Sequence, residues 1–220
     1  MQNNKVSLLL PSLRGGGAER VMVNLSRGFS ECGLQVDLVL VNAEGPYLSQ
    51  VPSKVRVLNL HGSRVLTSLP GLVRYLKRER PAAILSALDH VNIVTLSARY
   101  LSGVPTVTVV SVHAALSMSV ANTPHTRGRV IPYLIRKFYP LADAIVAVSQ
   151  GVAEDLAKTT GLSQELVQVI YNPVVTPELL EKAREPLEHL WFTPGQPPVI
   201  LSVGRLPKQK DYTTLIRAFA

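Results

Sequence analysis

KVSLLLPSLRGGGAERVMVNLSRGF, residues 5–29, runs from an apolar, β-favouring segment through three successive glycines, Gly15, Gly16 and Gly17, into a stretch of helical character. A strand that turns on glycines into a helix is the opening of a βαβ unit. The rest of the chain repeats the alternation. Apolar runs at 35–41, 55–60, 82–88, 105–113, 144–149 and 166–172 read as strands. Residues 18–32, 66–80, 91–101 and 151–159 read as helices, that at 66–80 closed by Pro81, which cannot continue one. The strand segments are mostly Val, Ile and Leu with little alternation, as in strands covered on both faces of a parallel sheet. The expected fold is α/β, a Rossmann-like doubly wound parallel sheet.

Beyond Asn172 the character changes. Residues 173–196 hold a charged helical segment between prolines, as linkers between domains do. PPVILSVG at 197–204 then reads as a new strand, and DYTTLIRAFA at 211–220 as a helix. The expected organisation is a first domain over 1–172, a linker over 173–196 and the opening of a second Rossmann-like domain over 197–220. One strand and most of one helix cannot bury their apolar faces alone, so the chain reads as a fragment.

With 220 residues, 46% of them hydrophobic, there is ample material for a packed core. The single cysteine, Cys32, cannot build a disulfide framework or a cysteine-rich zinc site, and the five histidines lack metal-site spacing. No apolar run nears the ~20 residues of a membrane span, and the N-terminus lacks a signal peptide's cleavage pattern. A cytoplasmic protein is expected. The net charge is +8, and no acidic residue occurs from His90 to Ala142. That balance favours an acidic partner. Nucleic acid explains it poorly, since only 5% of residues are aromatic and no reader motif is present.

Two constellations carry chemistry. At the glycine run, backbone N–H groups can approach an anion at the positive end of a helix dipole; a tight turn that binds nothing is the alternative. The run lacks G-x-G-x-x-G and the P-loop pattern, which argues against NAD enzymes and P-loop NTPases. The second constellation, Val203-Gly204-Arg205-Leu206 followed by Lys210-Asp211, places two cations where ligands of open α/β sheets gather. Arg grips a diphosphate bidentately and Lys acts as a point charge.

Gly16-Gly17-Ala18-Glu19-Arg20 and, some 190 residues later, Val203-Gly204-Arg205-Leu206 with Lys210-Asp211 resemble glycosyltransferase family four, of the GT-B architecture. The resemblance extends over essentially the whole chain. It implies two Rossmann-like domains across a cleft, the first binding acceptor and the second most of a nucleotide-sugar. It implies that Gly16, Gly17, Arg205 and Lys210 hold the donor diphosphate without a metal, with retention of anomeric configuration; no D-x-D motif is present. It also implies a catalytic role for His113, at the end of the strand 105–113, beside the donor sugar. Asp89 and Asn92 follow the strand 82–88 and are candidates for acceptor contact or for helix caps. The implied co-substrate is a UDP- or GDP-sugar with no further cofactor, and the implied acceptor a saccharide or lipid-linked saccharide of the cell envelope. The family's E-x7-E element does not occur, so these residues alone are expected to be inactive or nearly so.

Within 126–140, around a basic amphipathic stretch over 129–138, Val130, Ile131, Leu134, Ile135 and Phe138 lie beside Arg127, Arg129, Arg136 and Lys137. The stretch reads either as a membrane-docking segment on the inner leaflet or as a core helix with a solvated rim. Two rivals to a transferase stay open: a nucleotide-sugar epimerase of the same fold, and a non-catalytic remnant that binds acceptor or membrane.

Overall fold

The structure, a computed structural model, describes residues 4–121, 125–204 and 211–219, those at 125–129 by backbone only. The chain divides into two compact units, Met1–Val174 and Val175–Ala220. In the first, β1 (Lys5–Leu10), β2 (Gln35–Leu40), β3 (Arg56–Asn59), β4 (Ala83–Ala87), β5 (Val107–Val112), β6 (Ala144–Ala147) and β7 (Val167–Val169) form one sheet. Its order is β3-β2-β1-β4-β5-β6-β7, and every pairing is parallel. The order reverses beside β1, whose neighbours are β2 and β4. Crevices beyond the carboxyl ends of strands at such a reversal are where doubly wound sheets bind ligands.

Six helices join these strands: α1 (Gly17–Glu31), α2 (Leu69–Glu79), α3 (Asp89–Ser102), α4 (Leu116–Ala121), α5 (His125–Phe138) and α6 (Gln150–Thr160). The strand residues alternate between two cores. Leu8, Leu10, Leu38 and Leu40 pack with Ala18, Met22 and Val23 of α1. Leu9, Val39 and Ile84 face the other way, onto Leu72 and Leu76 of α2 and Val91, Val94 and Ala98 of α3. A third cluster joins Val110, Val112, Ile145 and Ala147 to Ile135 of α5 and Leu156 of α6. Burial on both faces is the reason the strand segments carry no polar alternation.

The amino-terminal edge is closed by charge. Asp37, 3% exposed, accepts from Arg56 Nε at 2.8 Å and from the Tyr75 hydroxyl at 2.7 Å. Glu79 Oε2 accepts from Lys5 Nζ at 2.6 Å and from Arg56 at 2.8 Å. This network fastens β1, β2, β3 and α2 together, away from the strands' carboxyl ends.

In the second unit, α7 (Pro177–Lys182) and α8 (Tyr212–Ala218) are short, and no described residue is buried. Trp191 is 61% exposed. The strand expected over 197–204 is absent: those residues have no regular hydrogen-bonded structure. A strand exists only against a neighbour that takes up its N–H and C=O groups, and 197–204 has none among the described residues.

Candidate active site

Three strand ends carry the candidate residues, and two of them, those of β4 and β5, share one cavity. After β1 the chain turns at Gly15, whose φ of +104° suits a residue without Cβ, and Gly16 forms the N-cap of α1. No side chain caps that end. The Glu19 carboxylate lies over Gly16, so close that a Cβ there would meet it at 2.2 Å, whereas a Cβ on Gly17 would touch nothing. The turn is held from behind by backbone bonds from Leu13 N to Glu44 O (2.8 Å) and from Tyr47 N to Leu13 O (3.3 Å). Arg20 stacks over the Tyr47 ring, 4.1 Å from its centroid, and bonds Gln50, so this motif arginine clamps the turn from outside.

After β4, Leu88 takes φ +77°, a rare conformation for a residue with a side chain, and α3 starts at once. Backbone strain of this kind concentrates where a side chain must be aimed. The next residue, Asp89, and His113 after β5 line a cavity of about 470 Å³ whose other walls include Leu66, Leu88, Ile93, Ile131 and Leu134. The hollow is therefore mostly apolar, with the Asp89 carboxylate, the His90 and His113 imidazoles and the Ser119 hydroxyl among apolar walls. Burial pushes the Asp89 carboxyl above its ordinary value, opposed by a hydrogen bond from Tyr139. Burial likewise pushes His113 down, which favours the neutral imidazole.

Behind these two residues lies a buried polar network. Tyr139 Oη donates to Asp89 Oδ1 at 2.9 Å. Asn92 Nδ2 donates to Tyr139 Oη and to Ser111 O, both at 2.9 Å, and its Oδ1 accepts from Ser86 Oγ at 2.8 Å. Ser111 Oγ donates to Ser86 O at 2.9 Å and lies 3.0 Å from His113 Nε2. Asn92 is 0% exposed, so the direct acceptor contact expected of it is not available; its amide is used up inside the protein. Nothing in the sequence distinguished Ser111 or Tyr139, which join the network only because β5 and the turn after α5 meet α3.

Arg205 and Lys210 lie outside the described residues, as do the side chains of Arg127 and Arg129. Arg136 and Lys137 are exposed. Ile135 of α5 is buried in the core, with Ile131 and Phe138 partly buried against it. That packing fits the core-helix form of the amphipathic reading, while Val130 and Tyr133 of the same helix stay exposed. Among the described residues no helix is long and apolar enough to cross a membrane.

Residues 15–177 match the model of glycosyltransferase family 4. Over 227 aligned residues the chain is 29% identical to the N-acetylgalactosamine-N,N'-diacetylbacillosaminyl-diphospho-undecaprenol 4-alpha-N-acetylgalactosaminyltransferase of Campylobacter jejuni, across 98% of this chain and 59% of that enzyme. Among solved structures it resembles the lipopolysaccharide outer core galactosyltransferase WaaB (TM-score 0.59, 18% identity, 77% of this chain and 46% of that one). It also resembles Anabaena HepE in complex with UDP (TM-score 0.57, 21% identity, 82% and 49%). A UDP-N-acetylglucosamine 2-epimerase from Rickettsia bellii shares the fold (TM-score 0.51, 16% identity, 81% and 47%). The chain thus spans about half to three fifths of the length of these proteins, and with the match taking in most of its residues it belongs to glycosyltransferase family 4.

Proposed function

We propose that this chain forms the acceptor side of a retaining, metal-independent glycosyltransferase that moves a sugar from a UDP- or GDP-sugar to a lipid-linked saccharide of the cell envelope. The observation that carries the reading is the largely apolar cavity holding Asp89 and His113 beyond the carboxyl ends of β4 and β5. The Campylobacter relative is named for an acceptor that joins a saccharide to a polyprenol through a diphosphate. Such a molecule pairs hydroxyls with an apolar tail and an anion, and an apolar hollow on a chain of charge +8 suits all three.

In this reading the N–H groups of Gly16 and Gly17 meet the donor diphosphate together with Arg205 and Lys210. The negative charge that develops on the departing phosphate is met by fixed dipoles and cations, which need no reorganisation during the reaction. His113 lies beside the sugar being transferred. The exposed basic residues Arg74, Lys77, Arg78, Arg136 and Lys137 give a surface for the anionic inner leaflet, where such an acceptor is held. Since the chain spans 59% of its Campylobacter relative, we assign to these 220 residues acceptor binding and expect transfer by them alone to be slight. An epimerase shares the fold, but the family match is to transferases.

The test is binding of a short-chain polyprenyl-diphospho-N-acetylhexosamine, followed by calorimetry. Wild type is expected to bind, with Asp89→Ala and His113→Ala each weaker by about tenfold or more. Absence of wild-type binding at roughly 1 mM probe would overturn the reading.

A further inference from the structure

The network behind the cavity has one consistent assignment of its protons. Carbonyl oxygens only accept, so the single proton of Ser111 Oγ goes to Ser86 O and the two amide protons of Asn92 go to Ser111 O and Tyr139 Oη. The single proton of Tyr139 goes to Asp89, and that of Ser86 Oγ to Asn92 Oδ1. Ser111 Oγ, having spent its proton, can only accept from His113 Nε2. The imidazole therefore carries its hydrogen on Nε2.

We propose that Asn92, Ser111 and Tyr139 are positioning residues that fix the direction of every proton in this chain of bonds, so that the two ends of the network that reach the cavity are both acceptors: Nδ1 of His113 and Oδ2 of Asp89. Neither atom makes a hydrogen bond to any described residue. Where these two acceptors face the hollow, which His90 and Ser119 also line, they select a ligand that brings its own donors and no negative charge to that spot. Neutral hydroxyls of a saccharide meet this demand; a phosphate or carboxylate would face the Asp89 carboxylate and lone pairs. The inference rests on the acceptor-side reading for the ligand's identity. The tautomer itself does not.

The experiment uses the 220-residue chain labelled with ¹⁵N-histidine, and nitrogen–proton long-range spectra at neutral pH, with His113→Gln to assign the signal. His113 is expected as the Nε2–H form. Ser111→Ala should release it into a mixture of both tautomers and weaken binding of the saccharide-diphospholipid probe by roughly 3- to 10-fold. Tyr139→Phe should weaken the same probe by a similar factor while His113 stays Nε2–H, a separation that general loosening of the fold would not produce. An Nδ1–H form in wild type, or a tautomer indifferent to Ser111→Ala, overturns the proposal. If the tautomer behaves as expected but wild type does not bind the probe, the proton order stands and the acceptor-side reading falls.

Discussion

Gly45 adopts φ +116°, ψ 162°, a region open almost only to glycine, and a Cβ there would lie 2.1 Å from Leu13 O and 2.6 Å from Arg14 N. Both obstacles are backbone of the glycine turn itself, so no side chain can swing aside to make room. Gly45→Ala is expected to cost about 3 kcal/mol or more, a fall in Tm of roughly 6–12 °C for a chain of this size. Gly17→Ala, in open space at the first turn of α1, should leave Tm within about 2 °C of wild type. Circular-dichroism melts check both, and equal losses would show that the turn is not braced from behind. At this scale the sequence was informative where a residue's position along an element sufficed. His113 and Asp89 were legible because each follows a strand. Ser111, Asn92 and Tyr139 owe their roles to which elements pack together, and polar residues in apolar runs carry no mark of their partners.

Among the elements, the network of Lys5, Asp37, Arg56, Tyr75 and Glu79 decides how the first three strands respond to acid. Hydrogen bonds from Arg56 and then Lys5 hold the Glu79 carboxyl down to about 2, against an ordinary value of 4.5. A folded-state value below the unfolded one means stability that is fully present above pH 4.5 and is lost as pH falls toward 2. Urea midpoints of wild type and Glu79→Gln should therefore differ at pH 6, by a gap that narrows steadily from pH 4.5 toward about 2. A gap that stays constant would remove Glu79 from the account. The strands themselves were readable because parallel pairing demands continuous apolar runs, although most run a residue or two shorter than their apolar segments. Residues 197–204 form no ladder with any described residue for the complementary reason: VILSV has strand composition, yet composition cannot supply the neighbour. Helix α4, Leu-Ser-Met-Ser-Val-Ala, escaped notice because two serines in six residues blur its periodicity.

For the whole molecule, charge and packing separate two kinds of membrane attraction. Because Ile131, Ile135 and Phe138 of α5 are engaged in the core, attraction to lipid should come from exposed cations with little insertion. Binding to vesicles rich in phosphatidylglycerol is expected at 50 mM salt and should vanish at about 500 mM, where the Debye length falls below ~5 Å. Arg136→Glu with Lys137→Glu should weaken it further at low salt. Salt-resistant binding, measured by co-sedimentation, would instead mean that apolar side chains enter the bilayer.

The placement of Trp191 has a practical consequence. It is the only tryptophan, and it sits on Val175–Ala220, where no described residue is buried, while the seven strands lie in the other unit. Indole emission will therefore already resemble that of an unfolded chain in the native protein, and will stay nearly silent while the sheet melts. The optical reporters of the sheet are phenols, Tyr75 and Tyr139, both enclosed in it. A denaturation curve read at tryptophan wavelengths would describe the wrong unit of the chain.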